Sequence, residues 1–214
     1  MIKIEEIKVM GYKQELHNQF IRNKETALAI LIPGIAYSND MPLLYYVSEL
    51  LIDKGYDILK INPHWKEIDS FLTADSEEKR KWISTDVVNS VEEILNKKKY
   101  SDIFLVTKSI GMLGALEVLN KKVLFRNAKV LWLTPLCHVD NLVRELIDIA
   151  NQSLIMIGTA DRCYSIENIK ALKKRRNYRV KTFSGTDHSL EIMGDVKGSL
   201  KVLEKVLEEV EHFI

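Results

Sequence analysis

The chain has 214 residues, 46% of them hydrophobic and 29% charged, and its 31 basic and 30 acidic residues leave a formal net charge of +1. That length suits one domain with a sizeable core, and the even balance leaves no electrostatic footprint for nucleic acid or an anionic membrane surface. With four prolines and no Gly/Ser-rich linker, repeat or low-complexity tract, residues 1–214 read as a single domain.

The first twenty residues place Glu5 and Glu6 inside an apolar pattern, which does not make a secretory signal. No run approaches the roughly 18 apolar residues of a membrane helix, so the expected location is the cytoplasm. Ile2, Ile4, Ile7 and Val9, read with the segment around Phe20, predict an antiparallel pair of opening strands. Thr26 to Pro33 is a short buried strand. Met41 to Gly55 is a helix, with Pro42 in its first turn and Gly55 at its end. Tyr56 to Asn62 is the next strand, stopped by Pro63. A longer helix opens at Asp75, its early acids suiting the positive end of the dipole, with Ile83, Val87, Val91, Ile94 and Leu95 on one face.

Asp102 to Thr107 is a run of β-formers that stops at Lys108-Ser109, and a helix follows from about Ser109. Three more strand–helix pairs complete the chain, the strands falling near Ala128–Pro135, Ser153–Asp161 and Tyr178–Gly185. The last helix starts near Val196 and is expected to turn Leu200, Leu203, Val206, Leu207, Val210 and Phe213 to the core. Continuous apolar strands alternating with helices predict an α/β fold: a mostly parallel sheet covered on both faces, with an antiparallel start.

In such sheets ligands bind beyond the carboxyl ends of the strands. The residues found there include Ser109, Asp161 and His188, each after a different strand. A serine hydroxyl needs a base to become a nucleophile, histidine titrates in the right range, and a carboxylate fixes its tautomer. Taken alone, Ser109 is equally suited to cap a helix, and Asp161 and Asp140 are competing acids that also suit caps. Asp187, adjacent to His188, reads as a turn residue.

The order Ser, Asp, His and four segments together resemble the α/β-hydrolase family, in its small members without a cap domain. "TKSIG" resembles the nucleophile elbow G-x-S-x-G with Thr107 in place of the first glycine, which predicts a more crowded or slightly wider turn. "LIPGIAY" resembles the oxyanion loop, "GTADRCYS" the acid loop and "GTDHSLE" the histidine loop. The resemblance implies Ser109 as nucleophile, Asp161 as acid, His188 as base, and an oxyanion hole made by the backbone N–H groups of Ile35 and Ile110. Gly111, Gly114 and Ala115 are expected to let the helix approach the sheet closely.

Tyr37, His64 and His138, also on the strand-end edge, are candidate substrate contacts, and Trp65 either lines the pocket or packs in the core. His17 and His212 are expected on the surface away from that edge. Cys137 and Cys163 form no disulfide framework or zinc ligand set, and Lys173 to Arg176 read as a solvated helix end. One helix, about Val139 to Ala150, fills the place where a lid would be inserted, so an open site is expected. The reading is a serine hydrolase acting on a small carboxylic ester or thioester, with a small-molecule acyl substrate, no metal or organic cofactor, and no nucleic-acid or membrane partner. The rival is a non-catalytic α/β-hydrolase-like binding protein. A nucleotide-binding or flavodoxin-like fold is disfavoured, since neither G-x-G-x-x-G after the early strand nor a P-loop occurs.

Overall fold

The computed structural model describes residues 2–23, 26–121 and 123–214. Its strands and helices are β1 (Lys3–Met10), β2 (Glu15–Arg22), β3 (Ala27–Ile32), α1 (Pro42–Asp53), β4 (Asp57–Lys60), α2 (Asp69–Leu72), α3 (Ser76–Lys97), β5 (Asp102–Lys108), α4 (Met112–Lys121), β6 (Lys129–Leu133), α5 (Asp140–Asp148), β7 (Ser153–Gly158), α6 (Ile166–Leu172), β8 (Tyr178–Phe183) and α7 (Val196–Glu211). The eight strands make one sheet in the order β1-β2-β4-β3-β5-β6-β7-β8. β1 pairs antiparallel with β2, and β2 antiparallel with β4; every other pair is parallel.

The sequence explains each class of element. In β1 the alternation is real: Ile7 and Val9 are buried while Lys8 and Met10 face out. β3, β5, β6 and β7 have no such alternation, because helices cover both faces of the parallel region. Pro42 stands in the first turn of α1, where its missing N–H matters least. The α3 helix is capped by Asp75, whose carboxylate accepts from the Glu78 N–H at 2.8 Å. Asp195 caps α7 in the same way through Gly198 N–H at 2.9 Å.

The core has two halves, one on each face of the sheet. Leu31 and Val106 of the sheet cluster with Leu44, Val47 and Leu51 of α1 and Val206 and Val210 of α7. Ile30, Leu105, Val87, Leu116 and Trp132 pack beneath the helices of the other face. Trp65 belongs wholly to this second half: it is buried, stacks on Phe71 at 5.8 Å, and donates its Nε1–H to Asp86 at 2.8 Å. Asp86 also accepts from Tyr12 N–H and Gln14 Nε2 at 2.7 Å each, which ties the β1–β2 hairpin to α3. Its carboxyl is nonetheless held above the usual range, because burial outweighs the three hydrogen bonds.

Three expectations need correcting. Leu200 is 60% exposed and does not join the core, because the first turns of α7 run past the point where the helix meets the sheet. Gly114 does not face the sheet: a Cβ there would lie 2.4 Å from Val87 Cγ2, so this glycine sets the approach of α4 to α3. His17 is exposed but lies at the strand-end edge, because β2 is antiparallel and its start sits beside the end of β4.

Candidate active site

β5 lies in the middle of the sheet, between β3 and β6. Thr107 occupies a regular ladder position opposite Ile32 and Trp132, and β5 continues through Lys108 before the turn. The turn itself falls on Ser109, whose φ of 55° is in the left-handed region. Holding a non-glycine residue there costs on the order of 1–2 kcal/mol and needs support from the surroundings. Support comes from the short 3-10 turn Ser109–Gly111 that leads straight into α4. Gly111 makes that turn possible: a Cβ would sit 2.6 Å from the Pro33 carbonyl oxygen and 2.8 Å from that of Ile32. The hydroxyl of Ser109 is therefore lifted above the sheet edge, where its hydrogen-bond partner is His188.

Three strand ends converge on that hydroxyl. His188, between β8 and α7, has Nε2 2.8 Å from Ser109 Oγ and Nδ1 2.8 Å and 2.9 Å from the two carboxylate oxygens of Asp161. Asp161 follows β7, is buried, and also accepts from the Cys163 N–H at 2.7 Å. Burial by itself would push its carboxyl up. The hydrogen bonds from His188 and the Cys163 N–H, with the charges of His188 and Lys108, overcome that and hold it below the usual carboxylate range. An ionised Asp161 can only accept, so the proton on the ring sits on Nδ1 and Nε2 is left to accept from Ser109. Gly158 lets the loop after β8 cross the end of β7, since a Cβ there would meet the Thr186 carbonyl oxygen at 2.0 Å.

The competing roles fall elsewhere. Ser165, not Asp161, caps α6. Asp140 is exposed in the first turn of α5 and accepts from Asn168 Nδ2 at 2.8 Å. Asp187 accepts from the N–H groups of Ser189 and Glu191 at 2.8 and 3.0 Å, shaping the turn.

The loop after β3 runs beside the serine: a Cβ built on Gly34 would be 3.5 Å from Ser109 Cβ. Gly34 N–H donates to the Tyr37 carbonyl at 3.2 Å, which folds the loop back on itself with Ile35 at its bend. Ile110 stands directly after Ser109, at the start of the 3-10 turn. Beside the loop is an open cavity of about 500 Å³ lined by Gly34, Ile35, Tyr37, Asn39, Asn62 and His64, among others. His64 is exposed on its rim, with Nδ1 3.5 Å from Glu67. Tyr37 is largely core: its hydroxyl accepts from the Leu43 N–H at 3.0 Å and burial pushes its pKa up to about 12. His138 is exposed after β6 and does not line this cavity.

Sequence reasoning passed over Lys108. Its side chain is fully buried, with Nζ 2.5 Å from Thr134 Oγ1 and 2.6 Å from the His188 carbonyl oxygen. A charged residue ending an otherwise apolar buried strand was the available signal. Among the described residues, Asp161, Cys163 and His188 are the one set of potential metal ligands, with a donor atom of each within 4.8 Å of the others. Asp161 and His188 already bond each other, and burial pushes the Cys163 thiol up to about 11, so the set is poorly prepared for a cation.

No protein-family model matches the sequence, and no curated protein matches it. Solved structures do match in shape. An esterase of Pyrococcus furiosus, Pf2001, aligns with a TM-score of 0.70 at 14% identity over 97% of this chain and 91% of its own. An alpha-beta serine hydrolase homologue from Coxiella burnetii aligns at 0.71 and 17% identity, covering 96% and 97%. A dienelactone hydrolase from Anabaena variabilis aligns at 0.70 and 15% identity, covering 100% and 99%. The chain has the α/β-hydrolase fold.

Proposed function

We propose that the protein is a serine hydrolase that cleaves a carboxylic ester or thioester through an acyl-enzyme on Ser109. The observation that carries this reading is the continuous hydrogen-bonded line from Ser109 Oγ through His188 to Asp161. His188 Nε2 takes the serine proton as Oγ attacks the substrate carbonyl carbon. Asp161 steadies the imidazolium that forms. The oxyanion is held by the N–H groups of Ile35, which follows Gly34 beside the serine, and of Ile110, which follows the serine itself. His188 then gives its proton to the leaving alcohol or thiol. Water, deprotonated by the same nitrogen, releases the acid and restores Ser109.

A single helix, α5, separates β6 from β7, and that supports an open site suited to a small or exposed acyl group. The hydrolase names carried by the structural neighbours support the same class of reaction. The test is labelling with a fluorophosphonate, read by intact mass and peptide mapping, on wild type, Ser109→Ala and His188→Ala. Stoichiometric labelling on Ser109, absent in the first variant and slowed in the second, is the expected result. A folded wild-type protein that takes no label is a binding protein on this fold, not an enzyme of this class.

A further inference from the structure

Lys108 joins three loops. Its Nζ donates to Thr134 Oγ1 at the end of β6 and to the His188 carbonyl between β8 and α7, and it lies 4.8 Å from the centre of the Tyr37 ring in the loop after β3. Thr134, like Ser109, has a left-handed backbone, with φ of 42°. Two neighbouring strands thus end in strained turns, and one ammonium spans them. A buried ammonium is expensive, and a methionine of similar volume would fill the space without that expense. What the charge adds is directional. The ammonium donates a charge-assisted bond to the His188 carbonyl and so fixes the backbone from which the imidazole reaches Ser109.

We propose that Lys108 is the positioning residue of this site: its ammonium fastens the His188 backbone to the end of β6 and balances the charge of Asp161, so the imidazole is held facing Ser109. This rests on Ser109 being the nucleophile. The groups facing the ammonium divide clearly. Asp161 and Asp187 favour its charge and Arg162 opposes it, while the Cys163 thiol, pushed up to about 11 by burial, is neutral where the amine titrates. Tyr37 offers a neutral ring. Burial is the strongest influence and draws the amine down to about 8, so the charge-assisted grip is present at neutral pH and weakens to that of a neutral amine in mildly alkaline solution.

The experiment follows the rate of fluorophosphonate inactivation from about pH 6 to about pH 10 in wild type and Lys108→Met, with proton spectra of the imidazole N–H recorded alongside. The wild-type rate should fall as pH rises through about 8. Lys108→Met should react about 100-fold more slowly at neutral pH, the size of effect that misplacing a catalytic group produces, and should show no such fall. A wild-type rate that does not fall, or a folded Lys108→Met that reacts like wild type, overturns the proposal. The wild-type profile tests it even if the variant does not fold. If wild type takes no label at any pH, the hydrolase reading fails and the spectra decide for Lys108. Loss of the hydrogen-bonded His188 Nδ1 proton signal in wild type above about pH 8 upholds the positioning role, and an unchanged signal overturns it.

Discussion

Thr107 stands where the elbow pattern has its first glycine, and its side chain poses a specific energetic question. The residue is 1% exposed, and its Oγ1 is buried with no hydrogen-bond partner among the described residues. Thr107→Val keeps the branched shape that β5 holds between Ile32 and Trp132 while replacing the hydroxyl with a methyl. A buried hydroxyl left unpaired is unfavourable by about 1–3 kcal/mol, so the variant should be more stable by about 1–2 kcal/mol. For a chain of 214 residues that is roughly 3–6 °C in the thermal midpoint. Urea unfolding followed by circular dichroism gives the free energy, and an unchanged slope confirms that the two native states are comparable. If Thr107→Val is less stable than wild type by more than about 0.5 kcal/mol, the hydroxyl is hydrogen-bonded in solution and the reasoning is wrong.

The Lys108 amine, lowered by burial from 10.5 to about 8, binds fewer protons in the folded than in the unfolded chain between those values. Stability should therefore rise through that interval, by about 3 kcal/mol in total, and the rise should vanish in Lys108→Met. Parallel urea midpoints for the two proteins across the interval would sink this expectation. Gly111→Ala forces a methyl to within 2.6 Å of the Pro33 carbonyl oxygen, so it should destabilise by about 1–3 kcal/mol. It should also slow fluorophosphonate labelling as the loop beside Ser109 shifts; unaltered melting and labelling would contradict the close packing. Asp86→Ala strips the acceptor from Trp65, Tyr12 and Gln14 and should cost about 3–5 kcal/mol, seen as a lowered thermal midpoint.

Much of the fold was legible because its signals are local. The β-formers before Ser109, the proline and glycine bracketing α1, and the acids opening α3 each act within a few residues. Ser109, Asp161 and His188 were legible as strand-end residues, and the structure brings them within hydrogen-bond distance of one another. What escaped depends on docking. Leu200 has the helical spacing of a core residue, yet periodicity does not say where α7 leaves the sheet. Trp65 read either as a pocket wall or as a packing residue, and its burial against Phe71 and Asp86, fixed by how α2 and α3 dock, decides for packing. Lys108 escaped because its two acceptors lie 26 and 80 residues away.

Sequence separation also governs when the site comes into existence. Ser109 and His188 are 79 residues apart, and Asp161 and His188 are 27 apart. β8, which delivers the histidine, is an edge strand that pairs in the sheet with β7. A partly folded chain with its central strands zipped and β8 still loose would carry a serine without a base. Refolding should show this as two clocks: backbone ellipticity returning first, and serine reactivity returning only when the last strand closes on the sheet.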